Sequence, residues 1–249
     1  METSHTNPPH ALQIALAALV AASIGAVSLP GTAAAAGGRT CFGKRPTIVG
    51  TQGNDVLHGT TGRDVIVSLG GNDHITAGQG NDYICAGPGD DNVHGAEGVN
   101  YMNGGPGDDW LDGRRGPGNV ALGSKGDDLI QAEGKIDGGG GNDTVHSYGY
   151  QDPSLSPFRD VTDGGGGRDR IYGCGGVQSC YTGGGGNREL LMGGARNDRI
   201  FAGGGNDELR GNGGSDKLHG EAGDDDIDGG SGTDTCDQGP GTGSLTNCP

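Results

Sequence analysis

From Gly50 onward the chain advances in steps of nine residues, and this period limits its fold more than any other feature. Units begin at Gly50, Gly59, Ser68, Ala77, Ala86, Gly95, Gly104 and Gly113; Leu122 reads as a one-residue insertion before a further unit at Gly123. Isolated units begin at Gly138, Gly164 and Gly183, and a second unbroken series at Gly193, Ala202, Gly211, Gly220 and Gly229. Across these 17 units the fourth residue is Gly in 16, the sixth is Asp in 14, and the eighth is aliphatic or Met in 16. Three columns in phase over so many units are not a product of chance.

Each column has a physical reading. The first six residues are Gly-rich, so they can take positive φ and turn tightly, pointing carbonyls inward. The last three alternate polar, apolar, polar, the pattern of a short strand with one inward side chain. Two units, or 18 residues, then make one coil with a turn on each side, and coils stack at about 4.8 Å. The sixth-position Asp of one unit lies near that of the unit two further on. Those carboxylates repel unless a cation lies between them; a calcium ion completed by turn carbonyls converts repulsion to attraction.

Composition agrees. With 58 Gly, 11 Pro and only 31% apolar residues, the chain lacks the side chains for the core of an ordinary α/β enzyme or helix bundle. Gly does not recur every third residue, so collagen is excluded. The formal charge is −16, and Asp outnumbers Glu 26 to 6. Such a chain repels nucleic acid and anionic lipid, attracts cations, and stays disordered unless its charge is neutralised.

The phased G-G-x-G-x-D-x-U-x pattern resembles the haemolysin-type calcium-binding (RTX) nonapeptide repeat. Gly138-Gly139-Gly140-Gly141-Asn142-Asp143-Thr144-Val145-His146 matches it fully, as does Gly104-Gly105-Pro106-Gly107-Asp108-Asp109-Trp110-Leu111-Asp112. The resemblance implies an all-β parallel β-roll, disordered without calcium and folded with it. Many relatives carry a separate catalytic or pore-forming domain, so no activity transfers from them. The candidate calcium ligands are Asp55, Asp64, Asp73, Asp82, Asp91, Asp109, Asp128, Asp143, Asp169, Asp198, Asp207, Asp216, Asp225 and Asp234.

Parity sorts them. Asp55, Asp73, Asp91, Asp109 and Asp128 fall on one edge; Asp64, Asp82, Asn100 and Gly118 fall on the other. In the second series Asp198, Asp216 and Asp234 share one edge, and Asp207 and Asp225 the other. This predicts roughly eight calcium ions, each bridging two Asp with turn carbonyls. Arg188 replaces Asp in its unit, and the stretch 132–192 resists phasing. The bland alternative is that these Asp only cap their own turns, a role Asn would fill equally well.

Asp224-x-Asp226-x-Asp228-Gly229 imitates the start of an EF-hand loop, but its twelfth residue is Thr235 and the nine-residue phase accounts for it better. His58, His94, His146 and His219 at position nine and His74 at position seven read as surface side chains, and no Ser-His-Asp set stands out. Tyr83 and Tyr101, both at position seven one coil apart, are expected to stack as a cross-strand ladder, or to form a carbohydrate or partner patch. The insertion 147–163 is expected to be a surface loop.

The expected organisation is a signal peptide over 1–36, an N-terminal cap over 37–49, repeats over 50–131, irregular repeats over 132–192, repeats over 193–237 and a C-terminal cap over 238–249. The signal rests on the apolar run Ala11 to Val27 and on Ala34-Ala35-Ala36 before Gly37, although Met1 to His10 holds no Lys or Arg. Six Cys in an exported chain suggest disulfides; proximity favours Cys174–Cys180 and Cys236–Cys248, leaving Cys41–Cys85. No C-x2-C pair is present to suggest zinc. The leading expectation is a secreted, non-enzymatic calcium-binding protein with a structural or interaction role, without a membrane span after signal cleavage. The alternative is an adhesion, carbohydrate- or protein-binding surface.

Overall fold

The computed structural model describes residues 39–116, 118–148, 160–173 and 188–249. Within them the chain forms 21 short strands and no helix. They alternate between two parallel sheets. One has eleven strands, from Ile48–Val49 to Leu245–Thr246; the other has ten, from Val56–His58 to Thr235–Asp237. Each strand pairs with the strand two further along the chain, which is the all-β parallel roll expected from 18-residue coils.

Most strands are short because each sends one large side chain into the interior. Ile66, Ile84, Met102, Ile136, Leu191 and Leu209 fill the interior from one sheet, and Ile75, Val93, Leu111, Ile130, Val145, Ile171, Ile200 and Leu218 from the other; all are fully buried. At about 25 cal/mol per Å² this single file of side chains is thin for a chain this long. The turns must therefore contribute more than connection.

Two features of the turns explain the Gly column. Gly107, at position four, has φ +143°, and a Cβ there would lie 2.0 Å from the carbonyl oxygen of Gly89 in the preceding coil. A side chain is thus excluded by conformation and by space together. Arg196 is the exception at this position and still adopts φ 85°.

The roll continues where the sequence seemed irregular. Thr144–Ser147 pairs with Leu129–Ala132 on one side and with Arg170–Tyr172 on the other. Gly134–Gly140 pairs with Asn119–Lys125 and with Val161–Asp163. Three placements are corrected. The inserted residue is not Leu122: Asn103 pairs with Leu122, so the extra residue is absorbed in the turn before Asn119. Position six on that edge is therefore Asn119 rather than Gly118. Likewise Glu189, not Arg188, holds position six of its coil, and Leu191 points inward. The physical reason is common to all three: an extra residue inside a strand would turn every later side chain to the wrong face, whereas a turn absorbs it. The cap segments are also partly coil, since Ile48–Val49 pairs with Val65–Val67 and Leu245–Thr246 with Asp226–Asp228.

Two expected disulfides are present, Cys41–Cys85 and Cys236–Cys248. Cys174–Cys180, residues 1–36 and most of the 147–163 insertion lie outside the described residues. Among the described residues no helix is long and apolar enough to cross a membrane.

Candidate metal centre

The turns place the sixth residue of every second unit on one edge of the roll. Along the first edge, the N–H of each Asp donates to Oδ1 of the Asp in the next coil. The file runs Asp55, Asp73, Asp91, Asp109, Asp128, Asp143, Asp169, Asp198, Asp216, Asp234 without a break, at 2.8–2.9 Å. The two blocks of repeats therefore share one edge, and Asp143 and Asp169 join them. On the second edge, Asp64 donates to Asp82, Asp82 to Asn100 and Asn100 to Asn119. Glu189 donates to Asp207 and Asp207 to Asp225. All 14 sequence-predicted Asp lie in these two files.

Only one carboxylate oxygen of each Asp is used this way. Oδ2 of Asp73, Asp82, Asp91, Asp109, Asp128, Asp143, Asp169, Asp198, Asp207, Asp216, Asp225 and Asp234 is buried with no hydrogen-bond partner. An unmatched buried carboxylate oxygen costs several kcal/mol, and no fold keeps twelve without compensation (~1–3 kcal/mol even for a neutral group). For Asp128, Asp143, Asp169, Asp198, Asp216, Asp225 and Asp234, the position-one Gly faces both Oδ2 and a backbone carbonyl oxygen of the next coil. A Cβ on Gly123 would fall 2.2 Å from Oδ2 of Asp128 and 2.3 Å from the carbonyl oxygen of Gly138. On Gly138 it would meet Oδ2 of Asp143 at 2.5 Å and the oxygen of Gly164 at 2.6 Å. Glycine at position one thus keeps open a small space walled by a carboxylate and a carbonyl of the next coil.

That donor set is oxygen only, which suits calcium. Among the described residues no three His, Cys, Asp or Glu side chains converge on one point, so the pattern is not that of a zinc centre. Electrostatics point the same way. Burial, joined by repulsion from neighbouring carboxylates, raises Asp109 to about 8 and Asp91, Asp128, Asp169 and Asp198 to about 7, against an ordinary 3.8. Burial also raises Asp82 and Asp143 to about 6. At neutral pH Asp109 therefore keeps most of its proton and the groups near 7 keep part of theirs, and a bound cation displaces what remains.

The first turn on each edge differs. Asp55 Oδ2 accepts from the backbone N–H and the hydroxyl of Thr51, and Asp64 Oδ2 accepts from both groups of Thr60. Asp64 Oδ1 is also taken, by the Thr47 hydroxyl. These two carboxylates cap their own turns, the bland role weighed for all of them.

A second polar file was missed in the sequence. Position-five Asn and Asp accept the N–H of position five one coil later: Asn54 from Asn72, Asn72 from Asp90, Asp90 from Asp108, Asp108 from Asp127, Asp127 from Asn142. It runs opposite in sense to the Asp file. The signal was available, because position five is Asn or Asp in most units.

Tyr83 and Tyr101 stack as expected, with centroids 4.9 Å apart and planes at 13°. Phe42 packs against both rings, and the Lys44 ammonium lies over Tyr83. This row is the seat of the N-terminal segment, locked there by Cys41–Cys85. A second ladder, His146–Tyr172–Phe201–His219, stacks at 4.8–5.4 Å. Its sequence spacings of 26, 29 and 18 residues hid it, because the insertions between its members are of unequal length.

Two parallel sheets wound as one coil, with carboxylates and carbonyls filed along the turns, define a calcium-binding β-roll. The model of the RTX calcium-binding nonapeptide repeat matches residues 49–84, 86–120, 135–149, 182–218 and 203–236, and the chain belongs to that family. No curated protein sequence is significantly similar to it.

Proposed function

We propose that this is an exported calcium-binding roll that folds when it meets extracellular calcium and then acts as a structural or binding module, without catalysis. The observation that carries this reading is the row of twelve buried, unmatched Asp Oδ2 atoms. Calcium bound between successive coils supplies the missing partner and removes the repulsion along each file. Eight of the nine links on the first edge join Asp whose Oδ2 atoms are both unmatched; the Asp55–Asp73 link does not. On the second edge Asp207–Asp225 is the equivalent link. This reading gives nine ions per chain, eight along the first edge between Asp73 and Asp234 and one on the second. The residues' own part is to hold the ions: Oδ1 fixes each carboxylate to the neighbouring backbone, and Oδ2 faces the cation.

Export is supported by the apolar run before Gly37 and by the disulfides, which persist in oxidising compartments. Extracellular calcium of roughly 10⁻³ M suits modules of this kind. The test is far-UV circular dichroism of the mature chain titrated with calcium and reversed with chelator. A cooperative, reversible coil-to-β change is expected. A spectrum already β-rich and indifferent to chelator would remove calcium from the folding mechanism. Elemental analysis of dialysed protein checks the count, and one or two ions per chain would sink it.

A further inference from the structure

A chain with a formal charge of −16 is expected to disperse its 16 basic residues among its acids. Five of them instead gather over three coils of one sheet. Arg170, Arg199 and Lys217 are directly opposite one another on neighbouring strands, all exposed and facing outward. Arg168 and Arg196 stand exposed in the adjoining turns. Like charges opposite each other on a sheet are destabilising. Their usual remedy is absent, because the ion pairs of the described residues are made elsewhere, by His94, Arg114, Arg188, Arg210 and His219. The strip also encloses space. A recess of about 270 Å³ is lined by Arg168, Arg199 and Lys217 with Asn197, Ser215 and the buried Asp198. A second, of about 400 Å³, shares Arg168 and is lined by Arg196 and the bare backbone of Gly166 and Gly167.

We propose that this strip binds an acidic polysaccharide laid along the axis of the roll, with carboxylate or sulfate groups entering the two recesses. The positive charges repeat at the strand spacing of about 4.8 Å, so a linear partner meets one at every coil. Three observations select the partner. The net charge repels a dense polyanion such as nucleic acid, which carries a charge every ~1.7 Å, far more than a glycan charged once per sugar or less. The neighbouring rings of Tyr172 and Phe201 stack on each other, so their faces are not offered to bases. A second copy of this chain carries the same formal charge of −16, so the two molecules repel each other as wholes. The proposal rests on the calcium-folded roll, since only the coils align the strip.

The test is fluorescence anisotropy at low salt and saturating calcium, using labelled chondroitin sulfate and hyaluronate oligosaccharides, with neutral dextran as control. The purified protein is expected to bind at least one acidic oligosaccharide, not dextran, and to weaken with added salt. Arg170→Glu/Arg199→Glu/Lys217→Glu is expected to lose about tenfold or more in affinity. Arg63→Glu/Arg115→Glu/Lys125→Glu, with the same change in net charge, is expected to keep it. Absence of binding to both acidic probes, equal binding of dextran, or an equal loss in the second variant would overturn the proposal. So would self-association that the first variant abolishes while no glycan binds, which would assign the strip to a second copy. Circular dichroism registers the calcium-driven fold independently, so a folded roll that binds no glycan overturns this inference and leaves the calcium reading standing.

Discussion

Asp109 is the residue on which the calcium reading bears hardest. It lies between Asp91 and Asp128 in the file, and its Oδ2 is unmatched. Asp109→Asn keeps the hydrogen-bonding oxygen, as Asn100 and Asn119 do on the other edge, but removes charge from the two neighbouring links. Calcium titration by calorimetry is expected to show two sites weakened by about tenfold or more, with the fold retained at saturation. Asp55→Asn, where Thr51 already holds Oδ2, is expected to change the titration far less; equal effects would contradict the assignment. Gly107 tests the turn. Gly107→Ala meets both a left-handed backbone and the oxygen of Gly89, and is expected to cost about 2 kcal/mol or more in denaturant unfolding with calcium present. The Asp and Gly columns were legible because each position answers to one local demand. The position-five file was legible too, but its role depends on a neighbour one coil away.

Among the elements, most strands contribute one large side chain to the interior, so a strand's worth depends on its place in the stack. Leu111 is fully buried in the interior of the roll, and Leu111→Ala is expected to cost about 2–5 kcal/mol. Leu57 lies only partly buried near the open end, and Leu57→Ala is expected to cost clearly less, as measured by calcium-saturated unfolding curves. The N-terminal segment is held differently. Cys41–Cys85 closes a separation of 44 residues, and its loss is expected to cost about 4 kcal/mol by chain entropy. Cys41→Ser/Cys85→Ser is then expected to need more calcium to fold, and an unchanged calcium midpoint would show that Phe42 and its two tyrosines suffice. Register through 132–192 was not legible, because unequal turns break the period while the strands stay aligned.

For the whole molecule, protons and calcium compete for the same carboxylates. Asp109 and its neighbours have folded pKa values of about 6 to 8 against 3.8 when solvated. A carboxyl raised in this way holds a proton in the folded state that unfolding releases. Without calcium, the stabilisation is therefore fully present below about pH 4 and is lost as pH rises through about 6 to 8. Calcium reverses the sign: its affinity rises over the same interval, and its binding releases protons. Chelated protein is expected to retain more β structure at pH 5 than at pH 8, and calcium addition at pH 6 to acidify an unbuffered solution. Identical chelated spectra at the two pH values would show that the carboxylates are not held as described.

The repeat alone was enough to specify the 18-residue coil, the inward column, the 14 Asp and the need for a cation, because each follows from a period of nine and a sign of charge; the parallel roll was what the family resemblance of those columns implied. Tertiary structure decided how the edges join. Turns of unequal length absorb insertions without disturbing strand register, so Asp128, Asp143, Asp169 and Asp198 form one file although 15, 26 and 29 residues separate them. The same stacking brought Arg170, Arg199 and Lys217 into one strip. Sequence distance does not encode that neighbourhood; the hydrogen bonds between coils do.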